Sequence, residues 1–463
     1  MKSVTLDYAN MLSPVLGGGG LDPLGLEGDQ ADAFRKAYED VEARRLSGEM
    51  GFFALPDARD STKAVQELAD GFGQWFENLV VLGIGGSALG TTTLRDSLLG
   101  PYWNELDDEA RDHYPRLYVL DNVDPRTVST LLDRLDLRRT LFNVVSKSGS
   151  TAETMSQYMV VEGRLHEVLG EDPTRGHFLF TTDPESGILR KIANEEGIPA
   201  LEVPSNVGGR FSVLSAVGLL PAAVVGIDIM GVLDGARDMA ERCRTAVLKE
   251  NPAGLLATLL HHADTALGSP IHVLMPYSDR LRSFAAWFQQ LWAESLGKAR
   301  DREGRAVNLG PTPVPAVGAT DQHSLLQLLM EGPRDKVVLF LGVGGAEDPV
   351  EIPAIRQEFS ALSYLGGHTL SELLDTERKA TMEALRQQGR PSLSLEIDDL
   401  TPRALGELFM LFEIATVFAG ALYGVDPLDQ PGVEVSKELT YGLLGREGYD
   451  RPQVGIGDHD WRV

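Results

Sequence analysis

Short apolar runs, each followed by a turn and then a helical pattern, constrain the fold of this chain most strongly. Residues 79–83, 117–120 and 141–145 are almost continuously apolar, as expected for strands that are buried on both faces. Residues 177–180 and 200–203 are two further strand candidates. Helical patterns separate these runs, and that alternation predicts a doubly wound, three-layer α/β domain built around a parallel sheet.

A second unit of the same α/β class follows a helical stretch at residues 231–267. Its strand candidates are residues 271–275, 336–341 and 392–395, and a long apolar helix is predicted over residues 403–423. We therefore expect two doubly wound parallel-sheet domains with additional segments at both ends of the chain. The predicted boundaries are an N-terminal extension over residues 1–65, a first domain over 66–230, a second domain over 231–425 and a C-terminal arm over 426–463.

Charge and cysteine content exclude several classes of function. The chain has 42 basic and 68 acidic side chains, a net charge of −26, which repels nucleic acids and anionic membrane surfaces. A single cysteine, Cys243, excludes an internal disulfide framework and a cluster of thiolate metal ligands. The first residues lack a continuous apolar run of signal-peptide length. These features predict a cytoplasmic protein that binds neither nucleic acid nor membrane.

The first candidate ligand loop, residues 83–90, joins a predicted strand to a predicted helix. Its glycines would let backbone amides approach a ligand, and the start of the helix would favour an anion. Gly83, Gly85 and Ala88 also satisfy the G-x-G-x-x-G/A pattern of dinucleotide-binding proteins. By itself the loop is therefore compatible with a dinucleotide site, with a phosphate site that includes Gly86 and Ser87, or with a tight turn without a ligand.

The second candidate loop, residues 146–151, has the same position between a strand and a helix. It carries four hydroxyl groups and one ammonium group, on Ser146, Lys147, Ser148, Ser150 and Thr151. A capping box formed by Ser150 and Glu153 would account for one hydroxyl but not for the other three. Dinucleotide binding needs only the first loop, whereas two such loops at neighbouring strand ends suit a monophosphate.

Two further segments offer groups for catalysis. Arg210 follows two glycines and could be directed from a rigid turn at a developing oxyanion, although a surface arginine is an equally good interpretation. Residues 284–298 have helical periodicity, and Glu294 lies at the edge of the apolar stripe, where it could act as a base. An ordinary surface pair of Glu294 with Lys298 is the alternative.

His323 and Lys437 are isolated in sequence from the other candidates. His323 begins a helical pattern, where a capping or packed histidine is more common than a catalytic one. Lys437 ends the segment 429–437, which by itself is typical of a surface turn leading into a helix.

Taken together and in this order, these segments resemble the glucose-6-phosphate isomerase (phosphoglucose isomerase) family, and residues 146–151 are closest to its bacterial pattern. The matching stretches lie between about residues 80 and 440, and they are residues 83–90, 120–125, 146–154, 208–221, 290–298, 318–327 and 426–437. The resemblance implies two sugar-isomerase (SIS) domains, a homodimer and the reversible conversion of glucose 6-phosphate to fructose 6-phosphate. It implies neither a metal ion nor another cofactor.

The resemblance also assigns roles to individual residues. It implies that Glu294 transfers the proton between C2 and C1 and that Arg210 stabilises the cis-enediolate. His323, contributed by the other subunit, and Lys437 would open the sugar ring. The residues implied to bind the substrate and its phosphate are Gly86, Ser87, Ser146, Lys147, Ser148, Thr151, Gln290 and Gln430.

Three alternatives remain open from the sequence. Another isomerase of the SIS fold would share the phosphate loops but not the segments around Glu294, His323 and Lys437. A sugar-phosphate sensor would be expected to carry a basic helix–turn–helix, which the sequence does not show. A dinucleotide-dependent enzyme would bind its nucleotide tightly at the first loop.

Overall fold

The computed structural model describes residues 4–17, 19–72, 75–170, 175–345 and 349–452. Its strands form two five-stranded sheets and one short hairpin. The strands are β1 (Val4–Asp7), β2 (Asn78–Leu82), β3 (Arg116–Leu120), β4 (Thr140–Val145), β5 (Phe178–Thr182), β6 (Ala200–Glu202), β7 (Ile271–Pro276), β8 (Lys298–Arg300), β9 (Ala306–Leu309), β10 (Thr312–Pro315), β11 (Lys336–Val343) and β12 (Ser392–Ile397).

Helices cover both sheets. They are α1 (Ser13–Leu16), α2 (Asp29–Leu46), α3 (Arg59–Phe72), α4 (Leu89–Leu99), α5 (Pro125–Arg134), α6 (Ala152–Leu169), α7 (Ile188–Glu196), α8 (Ala216–Val224), α9 (Ile229–Arg242), α10 (Pro252–Thr265), α11 (Arg282–Leu296), α12 (Leu326–Glu331), α13 (Ser360–Ser363), α14 (Leu370–Gln387), α15 (Pro402–Tyr423) and α16 (Glu434–Leu444). Short 3-10 helices include Gly85–Ser87, Gly209–Phe211, Thr320–His323 and Pro431–Val433.

The first sheet has the strand order β3-β2-β4-β5-β6, and all of its strands are parallel. Every strand predicted here from an apolar run is present. β2 and β4 are neighbours, with Leu82 opposite Val144. Because parallel strands end at the same edge of a sheet, the two candidate loops that follow β2 and β4 lie side by side.

The second sheet has the strand order β1-β12-β11-β7-β10. The predicted strands β7, β11 and β12 are parallel, and β10 joins them in parallel at one edge. The other edge differs from the expectation of an entirely parallel sheet, because β1 from the predicted N-terminal extension pairs antiparallel with β12. The extension therefore supplies an edge strand. The predicted domain boundaries stay a prediction.

A shared layer of helices fills the space between the two sheets. Alternate residues of β2 pack into different clusters: Leu79 and Val81 join the large central core, while Val80 and Leu82 join the smaller core on the outer face. The same alternation separates Leu339 from Phe340 in β11. Successive residues of a strand face opposite sides of the sheet, and both sides are packed against apolar cores. The runs are therefore almost continuously apolar.

Helix α15 runs through the central layer. By length and composition alone it could cross a membrane. All of its residues from 404 to 420 are buried against protein, so its apolar surface is accounted for as the inside of the core. The helix packs mainly against α9, α10, α11 and α2.

Candidate active site

A cleft of about 650 Å³ opens where β2 and β4 end. It is lined by both candidate loops, by the turn that carries Arg210, by one face of α11 and by the C-terminal helix α16. Seven of the predicted site residues line it: Ser148, Thr151, Arg210, Gln290, Glu294, Gln430 and Lys437. Segments far apart in sequence thus meet at one edge of the first sheet.

Gly86 brings the first loop into contact with the arginine turn. A Cβ at this position would lie 2.2 Å from the carbonyl oxygen of Gly209 and 2.8 Å from the amide nitrogen of Arg210. No side chain fits there. Gly86 and Ser87 both lie in the 3-10 helix that follows β2, partly buried. The loop glycine therefore allows the close packing that places Arg210 in the cleft.

The second loop is held in a compact form by its own hydroxyl groups. The Ser146 and Thr151 hydroxyl oxygens are 2.9 Å apart, and the Ser148 hydroxyl lies 3.4 Å from Thr151. Ser146 is buried, whereas Ser148 is exposed to the cleft. Gly149 has φ of +62°, and a Cβ on it would lie 2.8 Å from the Ile188 amide nitrogen. The loop therefore turns tightly against the start of α7.

The start of α6 differs from the capping box that the sequence suggested as one interpretation. The helix begins at Ala152, so Thr151 rather than Ser150 occupies the N-cap position, and no side chain caps the helix. The Ser150 hydroxyl lies 3.4 Å from the Ser148 hydroxyl instead. Glu153 lines the cleft.

Lys147 is bonded to backbone outside the loop. Its ammonium group donates to the backbone carbonyls of Ser205 and Val207 at 2.7 and 2.9 Å. Burial lowers the pKa of Lys147, and the carboxylate of Asp183 partly opposes that shift. In this arrangement Lys147 connects the loop to the segment that leads to the arginine turn, and it contributes positive charge behind the loop.

Arg210 forms the floor of the cleft and is only 4% exposed. Its guanidinium donates from Nε to the Ser295 hydroxyl at 2.7 Å and from NH1 to Gln430 Oε1 at 2.8 Å. NH2 donates to the carbonyls of Pro427 and Asp429. Burial lowers the pKa of Arg210, and the nearby carboxylates oppose this. The side chain remains a cation, because an arginine does not deprotonate in proteins.

Glu294 stands beside Arg210 on α11. Its Oε2 is 3.6 Å from Arg210 NH1, and its Oε1 accepts a hydrogen bond of 3.2 Å from Gln290 Nε2. The Glu294 side chain is 35% exposed toward the cleft. Gln290 Oε1 is buried without a hydrogen-bond partner. The cleft therefore contains an accessible carboxylate next to a fixed cation, the pair that proton transfer beside a carbonyl requires.

The alternative interpretation of Glu294, an ordinary surface pair with Lys298, does not hold in the structure. Helix α11 ends at Leu296, before the predicted end at residue 298, and Lys298 begins β8. The Lys298 ammonium donates to the Glu294 backbone carbonyl at 3.0 Å rather than to its carboxylate. This leaves the carboxylate free to face the cleft.

Lys437 lines the cleft from helix α16. Its ammonium forms an ion pair of 2.7 Å with Glu434, one turn earlier on α16, and both side chains are about half exposed. The predicted polar arm is thus partly helical in this region; its residues from 453 onward lie outside the described residues.

His323 is not brought to the cleft within one chain. It is the last residue of the 3-10 helix Thr320–His323, its side chain is exposed, and the cleft lining does not include it. The neighbouring Gln322 accepts a hydrogen bond of 3.0 Å from the Tyr277 hydroxyl. This anchors the turn from which His323 projects into solvent.

A model of one protein family, described as phosphoglucose isomerase, matches residues 62–460. The chain belongs to the phosphoglucose isomerase family.

Relatives of the family match almost the whole chain. Glucose-6-phosphate isomerase of Carboxydothermus hydrogenoformans is 43% identical over 98% of this chain and 97% of its own length. The protein of the same name from Rubrobacter xylanophilus is 44% identical over 97% of this chain and 100% of its own length. The similarity therefore includes the N-terminal segment that lies before the matched family model.

Two solved structures share the fold of this chain. A hypothetical protein from Thermus thermophilus superposes with a TM-score of 0.85 at 38% identity, over 96% of this chain and 100% of that one. Glucose-6-phosphate isomerase from Chlamydia trachomatis superposes with a TM-score of 0.81 at 24% identity, over 96% of this chain and 89% of that one. The second comparison shows that the fold is shared.

Three of the groups that hold Arg210 were not among the site residues predicted from the sequence. Ser295 lies within the helical pattern predicted over residues 284–298, and the carbonyls of Pro427 and Asp429 carry no signal in the sequence. One signal was available, since a buried hydroxyl on an apolar stripe needs a hydrogen-bond partner. Within the described ranges, we find no group of three or more His, Cys, Asp or Glu side chains arranged for a metal ion.

Proposed function

We propose that this protein interconverts glucose 6-phosphate and fructose 6-phosphate, an aldose–ketose isomerisation that serves glycolysis and gluconeogenesis in the cytoplasm. The observation that carries the proposal is the contact of 3.6 Å between the accessible Glu294 carboxylate and the buried Arg210 guanidinium. The hydroxyl-rich second loop lines the same cleft. The names of relatives that match the chain over its whole length support the same reaction.

Glu294 is the base in this proposal. Starting from the open-chain aldose, its carboxylate removes the proton from C2, and the electrons of that C–H bond form the C1–C2 double bond. The carbonyl oxygen at C1 becomes negative, and Arg210 stabilises the resulting cis-enediolate. Return of the proton to C1 and transfer of the C2 hydroxyl proton to the negative oxygen at C1 yield the ketose. Gln290 orients the base through its hydrogen bond to Oε1.

The two loops bind the phosphate group in this proposal. Gly86 and Ser87 from the first loop join Ser146, Lys147, Ser148 and Thr151 from the second, while Gln290 and Gln430 complete the substrate site. Ser148 and Thr151 are the hydroxyl residues that line the cleft. Hydroxyl and amide donors suit a dianionic phosphate, and they supply local attraction that a chain of net charge −26 otherwise lacks.

Ring opening is assigned to Lys437 and His323, with His323 supplied by a second copy of the chain in a homodimer. Two observations support this arrangement. Lys437 lines the cleft, whereas His323 is exposed and lies outside it in its own chain. A histidine that projects into solvent from an anchored turn is well placed to enter a neighbouring subunit.

The deciding experiment measures conversion of fructose 6-phosphate to glucose 6-phosphate by purified protein in excess chelator. We expect turnover to persist. Glu294→Gln should reduce kcat about a thousandfold, since a positioned acid–base group contributes about 10²–10⁴, while binding of the sugar phosphate persists. Glu331→Gln, an exposed glutamate at the end of α12, is the control and should retain full activity. Absence of turnover in the unmodified protein would refute the proposed function.

A further inference from the structure

Lys298 is buried beside the cleft, and its ammonium group contacts three protein oxygens. It is 7% exposed. Besides the Glu294 carbonyl, its ammonium contacts Asp429 twice, at the backbone carbonyl and at the carboxylate, the latter at 2.8 Å. An ammonium group has three N–H donors, and backbone carbonyls accept from two of them. Lys298 also does not line the cleft.

Asp429 lies between two buried cations. Its backbone carbonyl accepts from Arg210 NH2 at 3.0 Å as well as from Lys298. Its carboxylate, however, pairs with Lys298. The Nε and Nη2 atoms of Arg210 donate only to neutral acceptors. Its Nη1 atom donates to Gln430 and lies beside the Glu294 carboxylate. The guanidinium therefore keeps its charge available on the side that faces Glu294.

The segment that contains Asp429 is also fixed at its other end. Arg44 pairs with Asp426 at 2.8 Å and with Glu49 at 2.6 Å. Helix α16 follows this segment, and within it only Gly442 is buried. Because α16 makes so little contact of its own with the core, the position of the helix depends on the anchored residues that precede it.

We propose that Lys298 is a positioning residue for the isomerase reaction: its ammonium group keeps the Asp429 carboxylate away from Arg210 and fixes the chain that presents Gln430. The inference rests on the proposed function, because the role of Arg210 does. It assigns Lys298 an action through Arg210 and Asp429 rather than a contact with the sugar.

Removal of the ammonium group releases a carboxylate next to the buried guanidinium. An opposite charge within a few ångströms is strongly attractive in a partly buried site, so Asp429 would then compete with the enediolate for Arg210. The loss should fall on the transition state, because the negative charge that Arg210 stabilises develops there. The kcat should therefore fall more than KM rises.

The test is a double-mutant cycle on the full chain with fructose 6-phosphate as substrate. We expect Lys298→Met to lower kcat about tenfold to a hundredfold, within the range of coupled neighbouring residues. Asp429→Asn alone should keep kcat within about threefold, since a neutral amide can still accept from Lys298. In Lys298→Met the added Asp429→Asn change should restore kcat by at least about fivefold, because residue 429 then has no carboxylate to compete for Arg210.

Lys336→Met is the matched control. Lys336 is also a largely buried lysine paired with an aspartate, Asp335, but it belongs to β11 in the second sheet and does not line the cleft. Its replacement should leave kcat unchanged. Loss of kcat in Lys298→Met without recovery in the double variant would show a purely structural role and overturn the inference.

An unchanged kcat in Lys298→Met would overturn it as well, while the proposed function would stand because the unmodified protein is active. An inactive unmodified protein would instead refute both. Should Lys298→Met prove insoluble, Lys298→Gln replaces it in every arm of the cycle. Glutamine retains one donor for the Glu294 carbonyl and removes the positive charge.

Discussion

The floor of the cleft and the helical core each bury an ionisable side chain. The buried group in the floor has hydrogen-bond partners, and the one in the core has none. Arg210 in the floor is surrounded by acceptors from four separate residues and faces the carboxylate of Glu294. Glu413 on α15 is completely buried, and neither of its carboxyl oxygens has a hydrogen-bond partner.

The difference decides which group remains charged. Burial of an ion is costly unless partners replace its water, and an unpartnered group shifts its pKa and becomes neutral. Arg210 has those partners. Burial raises the pKa of Glu413 well above its ordinary value of 4.5, which favours the neutral carboxyl. Substitutions in the floor should therefore change catalysis, and substitutions in the helical core should change stability.

Arg210→Ala should have the largest effect on catalysis. Loss of one preorganised donor to an oxyanion typically costs about 10²–10³ in kcat, and we expect a fall of that size with a smaller change in KM. Arg210→Lys should recover only part of the rate, because a point charge cannot satisfy the same set of acceptors. Steady-state kinetics with fructose 6-phosphate provide the measurement. A wild-type kcat in Arg210→Ala would show that the floor does not act through its charge.

Local sequence patterns predicted much of this architecture. The parallel strands of the first sheet and most of the second followed from short apolar runs, because both of their faces are covered and the pattern is contained in five or six residues. The loops at residues 83–90 and 146–151 were predicted for the same reason, since each lies directly after its strand. The position of Glu294 at the edge of the apolar stripe was predicted from the helical spacing within α11.

The remaining features depend on contacts that no local pattern encodes. β1 pairs with β12 almost four hundred residues away, and its four residues are too few to show a clear alternation. The contact of Arg210 with Asp429 spans 219 residues. Helix α11 stops two residues before the predicted end because Gly297 leaves the helical conformation, with ψ of 100°.

Gly86→Ala tests whether the floor depends on close packing behind it. The added Cβ would approach the Gly209 carbonyl oxygen to 2.2 Å, so the turn that carries Arg210 must move. We expect kcat to fall about tenfold or more, because small misplacements of catalytic groups cost up to about a hundredfold. The control is Gly163→Ala in α6, where an added Cβ meets nothing within 4 Å. Equal activity of the two variants would mean that Arg210 tolerates displacement.

Glu413→Gln should have the smallest effect on turnover and a clear effect on stability. The folded protein holds a proton on Glu413, which the unfolded chain releases above its ordinary pKa of 4.5. The contribution of protonated Glu413 to the free energy of unfolding is therefore complete below pH 4.5 and decreases as the pH rises. It is lost once the pH passes the pKa of Glu413 in the folded protein. Glutamine does not titrate. Between those two pKa values, the free energy of unfolding of Glu413→Gln should rise relative to that of the unmodified protein by about 1.4 kcal/mol per pH unit.

Urea unfolding of both proteins at about pH 5.5 and about pH 8 measures this difference. The expected result is a gap that widens toward the higher pH, with kcat unchanged at either pH because α15 contributes no residue to the cleft lining. A gap that stays constant would mean that Glu413 is ionised in the folded protein. The helical core would then stabilise a charge as the floor does, and the two regions would differ only in their access to substrate.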